Sequence, residues 1–210
     1  MDLDEAKKNS YCGCTIVDGK LVILFAEGNL GTNINDALEK RKLLQALNEA
    51  PAAADNTSKI SFAARDGIRQ DYDPKIEELR KKIGVLIAKP DIKLVPNFDE
   101  AFAKLKEESK RKKNELDKEW ESRLGYYIYS YFESVESTMR YKEFEDDDMM
   151  QEGFNEAVDK GEIAFRIVDK LEYDSYCEVV VGDGRLYVQT IPSRWGSNAS
   201  YAAQKLVEQL

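Results

Sequence analysis

The first regular pattern along the chain has a period of two. Residues 11–17 and 20–26 are rich in β-branched and aromatic side chains and flank Asp18-Gly19, two residues that tolerate positive φ, so the pattern predicts a β-hairpin. A glycine-bearing loop over 27–33 leads into a helix over 35–49, with Ala37, Leu43, Leu44 and Leu47 on one apolar face. Residues 51–58 are small, polar and weakly patterned, and read as a linker. A short strand is predicted over 60–64. Asp73-Pro74 then supplies an N-cap and a first-turn proline for a helix whose apolar stripe is Ile76, Leu79, Ile83 and Leu86. Pro90 stops it, and residues 92–95 read as another strand.

The longest periodic segment follows, over 98–141. Phe102, Leu105, Leu116, Trp120, Leu124, Ile128, Tyr131, Val135 and Met139 recur at three or four residues or small multiples of these, which predicts one long helix bent at Gly125. Its middle, residues 106–119, carries eleven charged residues among fourteen. A helix that is polar all round crosses solvent or leans on a partner chain. The segment 98–142 therefore reads as an arm inserted into a single domain spanning 1–210. Its sparse Leu105, Leu116 and Trp120 stripe is a candidate homodimer interface.

Beyond the arm, a short helix over 149–160 is ended by Gly161, and residues 163–168 read as a strand. A second hairpin joins 176–181 to 185–191 about Gly182-Asp183-Gly184, and a final helix over 200–210 presents Ala203, Leu206 and Leu210. Sliding the chain by 165 positions aligns Tyr11, Cys12, Asp18, Gly19, Leu21, Gly31, Asn33, Ala37 and Lys40 with identical residues near the other end. Two readings stand. Hairpins and helix starts reuse the same few residues, or two ββα units form a pseudo-twofold repeat in one antiparallel sheet. The expected fold class is α+β, with an antiparallel sheet built from the two terminal hairpins and covered by helices.

Composition narrows function more than fold. The 210 residues are 42% hydrophobic and 34% charged, ordinary for a globular chain that folds without disulfide or metal staples. Forty acidic against 31 basic side chains give a net charge of −9, which argues against nucleic acid and anionic membrane surfaces as partners. With no apolar run of spanning length and no leader-like start, a cytoplasmic location is expected, where the sequons at Asn56 and Asn198 receive no glycan. Histidine is absent. That removes Ser-His-Asp and Cys-His nucleophile systems and histidine zinc sites, leaving carboxylates around Mg²⁺, a Lys or Tyr base, or a Cys thiolate.

Three candidate sites remain. The strand, glycine loop, helix order around Gly28, Gly31, Thr32 and Asn33 can offer free backbone N–H groups to a phosphate, although only GxxG is present and loop geometry with helix capping competes. Asp147, Asp148 and Glu152, beside Asp146, are carboxylates at helical spacing that suit a divalent cation; a solvated acidic loop at a helix N-terminus competes. Residues 126–132 hold five aromatics in seven positions, too many for one helix face, so Tyr127 and Tyr131 with Trp195 are a candidate ligand wall, and burial in a core competes. Cys12, Cys14 and Cys177 read as buried core thiols. No cofactor is expected. The expected function is association without catalysis, with a protein partner or a second copy. The alternative is a small-ligand or Mg²⁺-dependent phosphate-binding protein using the 28–33 loop, the 145–152 segment or the 126–132 aromatics.

Overall fold

The computed structural model describes residues 13–17, 20–24, 60–111 and 116–210. The 27–33 loop with Gly28, Gly31, Thr32 and Asn33, the 35–49 helix, the linker and Cys12 lie outside the described residues. The chain divides into two compact units, one of residues 1–57 with 61–63, the other of 58–60 with 64–210. In the first, β1 (Gly13–Val17) pairs antiparallel with β2 (Lys20–Leu24), Val17 opposite Lys20. The Asp18-Gly19 turn expected between them lies outside the described residues.

The second unit is built on four strands: β3 (Lys93–Val95), β4 (Glu162–Ile167), β5 (Cys177–Gly182) and β6 (Arg185–Thr190). Their order is β3-β4-β6-β5. The sheet is mixed, which corrects the antiparallel expectation: β3 and β6 both run parallel to β4, and only β5 and β6 are antiparallel. The pseudo-twofold sheet is not formed either. Among the described residues β1 and β2 pair only with each other, while the free edge of β6 is taken by β4.

The second hairpin turns at Asp183 and Gly184, whose φ values of 51° and 71° are both positive, as a two-residue hairpin turn demands. Register places Ile163, Phe165 and Ile167 of β4 beside Leu186, Val188 and Thr190 of β6, all buried, on the helix-covered face. The other face presents Arg166, Gln189 and Glu178 side by side.

Residues 60–64 do not form the expected strand: 60 and 61 are irregular and α1 (Phe62–Gly67) takes up the rest. Their apolar run is too short for periodicity to separate the two choices. A wider π-helical turn, Ile68–Tyr72, carries the chain directly into α2 (Asp73–Leu86), so Asp73 lies inside the helical path and Pro74 in its first turn. Leu79, Ile83 and Leu86 are buried from α2.

The single long helix over 98–141 is not formed. It is two helices, α3 (Phe98–Ser109) and α4 (Leu124–Tyr141), between which Asp117 accepts from the Glu119 N–H at 3.0 Å and pairs with Arg123 at 2.7 Å. This local turn gives the backbone an alternative to continuing the helix. It lets Trp120 come back onto Phe102, ring centroids 5.3 Å apart. Leu105 is fully buried, Trp120 nearly so and Leu116 half-buried in the core of their own chain, so this stripe is not an exposed interface.

Gly125 makes no bend. It sits in the first turn of α4, where an added Cβ would lie 2.7 Å from both the Gly67 oxygen and Ile68 Cα; a Cβ on Gly67 would overlap the Ser122 carbonyl. Two glycines thus allow backbone-to-backbone packing.

α4 is the centre of the core, with Leu124, Ile128, Tyr131, Phe132, Val135 and Met139 fully buried. After 3₁₀ turn Phe144–Asp146, α5 (Asp148–Ala157) leads into β4. The final helix is replaced by short 3₁₀ turns, Ala199–Tyr201 and Leu206–Gln209, closed by i to i+3 bonds. These still bury Ala199, Ala202, Ala203 and Leu206. Among the described residues no helix is long and apolar enough to cross a membrane.

Candidate functional site

Tyr127, Tyr131 and Trp195 do come together, packed with Phe165 as a cluster of rings. Tyr131 is fully buried, stacked on Phe165 at 5.0 Å, and its hydroxyl oxygen accepts the Gly196 N–H at 3.1 Å. Trp195 closes the group edge-on to Tyr127 at 5.5 Å and to Phe165 at 5.9 Å. Gly196, at φ 74°, presses its backbone onto the Tyr127 ring, where a Cβ would come within 2.6 Å. A ring-on-backbone contact of this kind is the close packing of a protein interior. Burial raises the Tyr131 phenol above its ordinary range, so it stays protonated.

Cys177 is also core. Its thiol is pushed up to about 12, first by burial and then by Asp174 and Glu178, and its sulfur contacts the Asn198 carbonyl at 3.3 Å. A thiol so protonated is a poor nucleophile at neutral pH.

The acidic segment is spent on structure. Asp147 caps α5, its Oδ1 accepting from the Met149 and Met150 N–H groups at 3.0 and 3.1 Å, while Asp148 and Glu152 are exposed. Among the described residues no group of three His, Cys, Asp or Glu side chains can hold a metal ion. The Mg²⁺ expectation for Asp147, Asp148 and Glu152 thus draws no support from the described residues. Asp147→Ala is expected to cost about 1 kcal/mol, the usual worth of an N-cap, with the same loss whether or not Mg²⁺ is present. Thermal unfolding with and without MgCl₂ checks this; a loss seen only with Mg²⁺ would restore the cation site.

What sequence reasoning missed lies at one end of the sheet. On its polar face Arg166 donates to Gln189 at 2.6 Å, and Gln189 donates to Glu178 at 2.6 Å. Glu178, only 4% exposed, then accepts the N–H groups of Glu172, Tyr173 and Asp174 at 3.0, 2.7 and 3.0 Å. One carboxylate thereby fixes the loop between β4 and β5. That loop meets the C-terminal turns: Lys205 donates to the Tyr173 carbonyl at 2.9 Å, and the Arg194 guanidinium lies 5.5 Å from the Tyr176 ring.

The loop carries two exposed rings, Tyr173 at 52% and Tyr176 at 40%, and Tyr201, at 60%, is exposed on the C-terminal turns. Beside the loop, the last turns of α3 form a cleft of about 250 Å³ with Asp169 and Pro192, its walls including Lys104, Glu108 and Arg111. Glu108 is buried and paired with Arg111 at 2.8 Å; Lys104 donates to the Ile167 carbonyl and pairs with Glu100 at 3.3 Å.

No known family, curated protein or solved structure matches this chain. The site is therefore read from its own chemistry. Exposed Tyr and Arg side chains on a face whose loop is rigidly held are the residue types that carry binding energy in protein interfaces, since their rings bury large area at little entropic cost. The available signal in the sequence was the pair of tyrosines within the polar run Leu171-Glu172-Tyr173-Asp174-Ser175-Tyr176.

Proposed function

We propose that this protein works by association with another protein surface, and that the face of Tyr173, Tyr176 and Tyr201 with Arg194 and Lys205 is where it does so. The observation that carries the reading is the exposure of Tyr173 and Tyr176 on a loop anchored from beneath by Glu178, with Tyr201 exposed on the C-terminal turns that this loop meets through Lys205. A floppy loop would lose much of its contact energy in ordering; a held one does not. The immobilised chain is expected to retain a defined protein, itself included, with an affinity that drops about tenfold or more in Tyr176→Ala/Tyr201→Ala. A double variant that retains the same proteins equally well removes the reading.

A second reading, the binding of a small charged molecule, is favoured by the cleft beside Glu108 and Arg111. A ligand held there raises the melting temperature by mass action, which a thermal-shift screen detects.

A further inference from the structure

We infer that the cleft at the end of α3 takes a small organic cation, a primary ammonium or guanidinium group carried on a short carbon chain; the inference rests on the small-molecule reading above. The strands point to the place. Asp169 lies just beyond β4 and Pro192 just beyond β6, and because these strands are parallel both leave the sheet at the same end, tied there by the Val168 N–H to the Thr190 carbonyl at 2.8 Å. The carboxyl ends of parallel strands are where open sheets covered by helices hold their ligands. The last turns of α3 supply the facing wall.

Charge selects the ligand. The cations on the cleft lining are Lys104 and Arg111, and both are engaged: Lys104 with Glu100 at 3.3 Å and with the Ile167 carbonyl, Arg111 with Glu108 at 2.8 Å. An entering anion has to compete with these carboxylates. Of the carboxylates on the lining, Glu107 is paired with Lys110 and Glu108 with Arg111, so within this set Asp169 carries the excess charge. The C-terminal end of the α3 dipole adds to it, and the net charge of −9 draws cations to the molecule as a whole. Glu108 supplies a second acceptor, only 4% exposed: its Oε2 is paired with Arg111, while a carboxylate has about four acceptor sites. A volume of about 250 Å³ equals roughly eight waters at about 30 Å³ each, which suits a few-carbon chain lying along Ala103 and Pro192.

Titration of the full chain with n-butylamine tests this, read by calorimetry and by Tm at about 0.15 M salt, where loose attraction between exposed charges is screened. Butyrate and 2-aminobutyrate serve as the anionic and zwitterionic counterparts of the same chain length. n-Butylamine is expected to bind and raise Tm, and butyrate to do neither. Asp169→Asn is expected to raise the n-butylamine dissociation constant about tenfold, because it replaces a charge-assisted hydrogen bond by a neutral one. Glu156→Gln, exposed on α5 and not on the cleft lining, is expected to leave it unchanged. Asp169 is exposed too, and unchanged unfolding without ligand identifies its variant as folded. Equal binding by wild type and Asp169→Asn overturns the inference, since the amine then sits elsewhere. Tighter binding of butyrate or 2-aminobutyrate also overturns it and leaves the small-molecule reading standing. Binding of none of the three overturns it as well, and the reading itself falls only if the wider thermal-shift screen is silent too.

Discussion

Gly67→Ala is expected to be among the most damaging single substitutions in the second unit, costing about 3 kcal/mol. Its added methyl group would overlap the Ser122 carbonyl oxygen and lie 2.8 Å from the carbonyl carbon. Backbone is the obstacle on that side, so no rotamer change relieves it. Gly125→Ala meets the same crossing from the other helix, with backbone atoms of Gly67 and Ile68 at 2.7 Å. The two effects are expected to add incompletely, because one separation of the helices relieves both. Gly153→Ala is the contrasting case. Nothing lies within 4 Å of its Cβ position inside α5, so it is expected to stabilise by about 0.5–1 kcal/mol through helix propensity. Denaturant unfolding measures all three, and a Gly67→Ala midpoint equal to wild type would contradict the close crossing.

Glu178→Gln is the second large effect. The substitution keeps shape but replaces one accepting oxygen by an NH₂ group, which must face either the Tyr173 and Asp174 N–H groups or the Glu172 N–H and the Gln189 amide. Donors then confront donors in a buried place, for a loss of about 3 kcal/mol. The damage is local before it is global. Amide protons of residues 172–174 are expected to exchange faster by a larger factor than those of β4 and β6. If their protection is unchanged, Glu178 does not hold the loop, and the rigid presentation of Tyr173 and Tyr176 loses its cause.

Some of this architecture could be read from residues alone. Asp183-Gly184 announced a hairpin because both positions take positive φ, and Pro74 marked the first turn of α2. The mixed sheet could not be read in the same way. Its parallel pairs join Lys93 to Glu162 and Ile163 to Leu186, and nothing local to either strand specifies a neighbour so far along the chain. The break between α3 and α4 was hidden for a related reason. A run of charges fits a solvated helix as well as a turn, and the choice rests on Asp117 with Arg123 and on the return of Trp120 to Phe102. Tyr127 and Tyr131 carry the same helical spacing whether they wall a cavity or fill a core; Phe165, Trp195 and Gly196, distant in sequence, decided for the core. Exposure is likewise a property of the assembled surface, so Tyr173, Tyr176 and Tyr201 resembled any loop tyrosines until their neighbours were in place.

The strand order β3-β4-β6-β5 also bears on how the molecule is made. During synthesis β3 and β4 leave the ribosome first, and β5 follows, yet β5 has no partner until β6 emerges and slots between it and β4. Until residues 185–190 are available, the apolar residues of β4 have an open edge, and Glu178 waits without Gln189. Completion of the sheet is thus a late, long-range event, slow by the standards of local helix contacts. The nascent chain is most exposed to misassociation in that interval, just before its final strand is delivered.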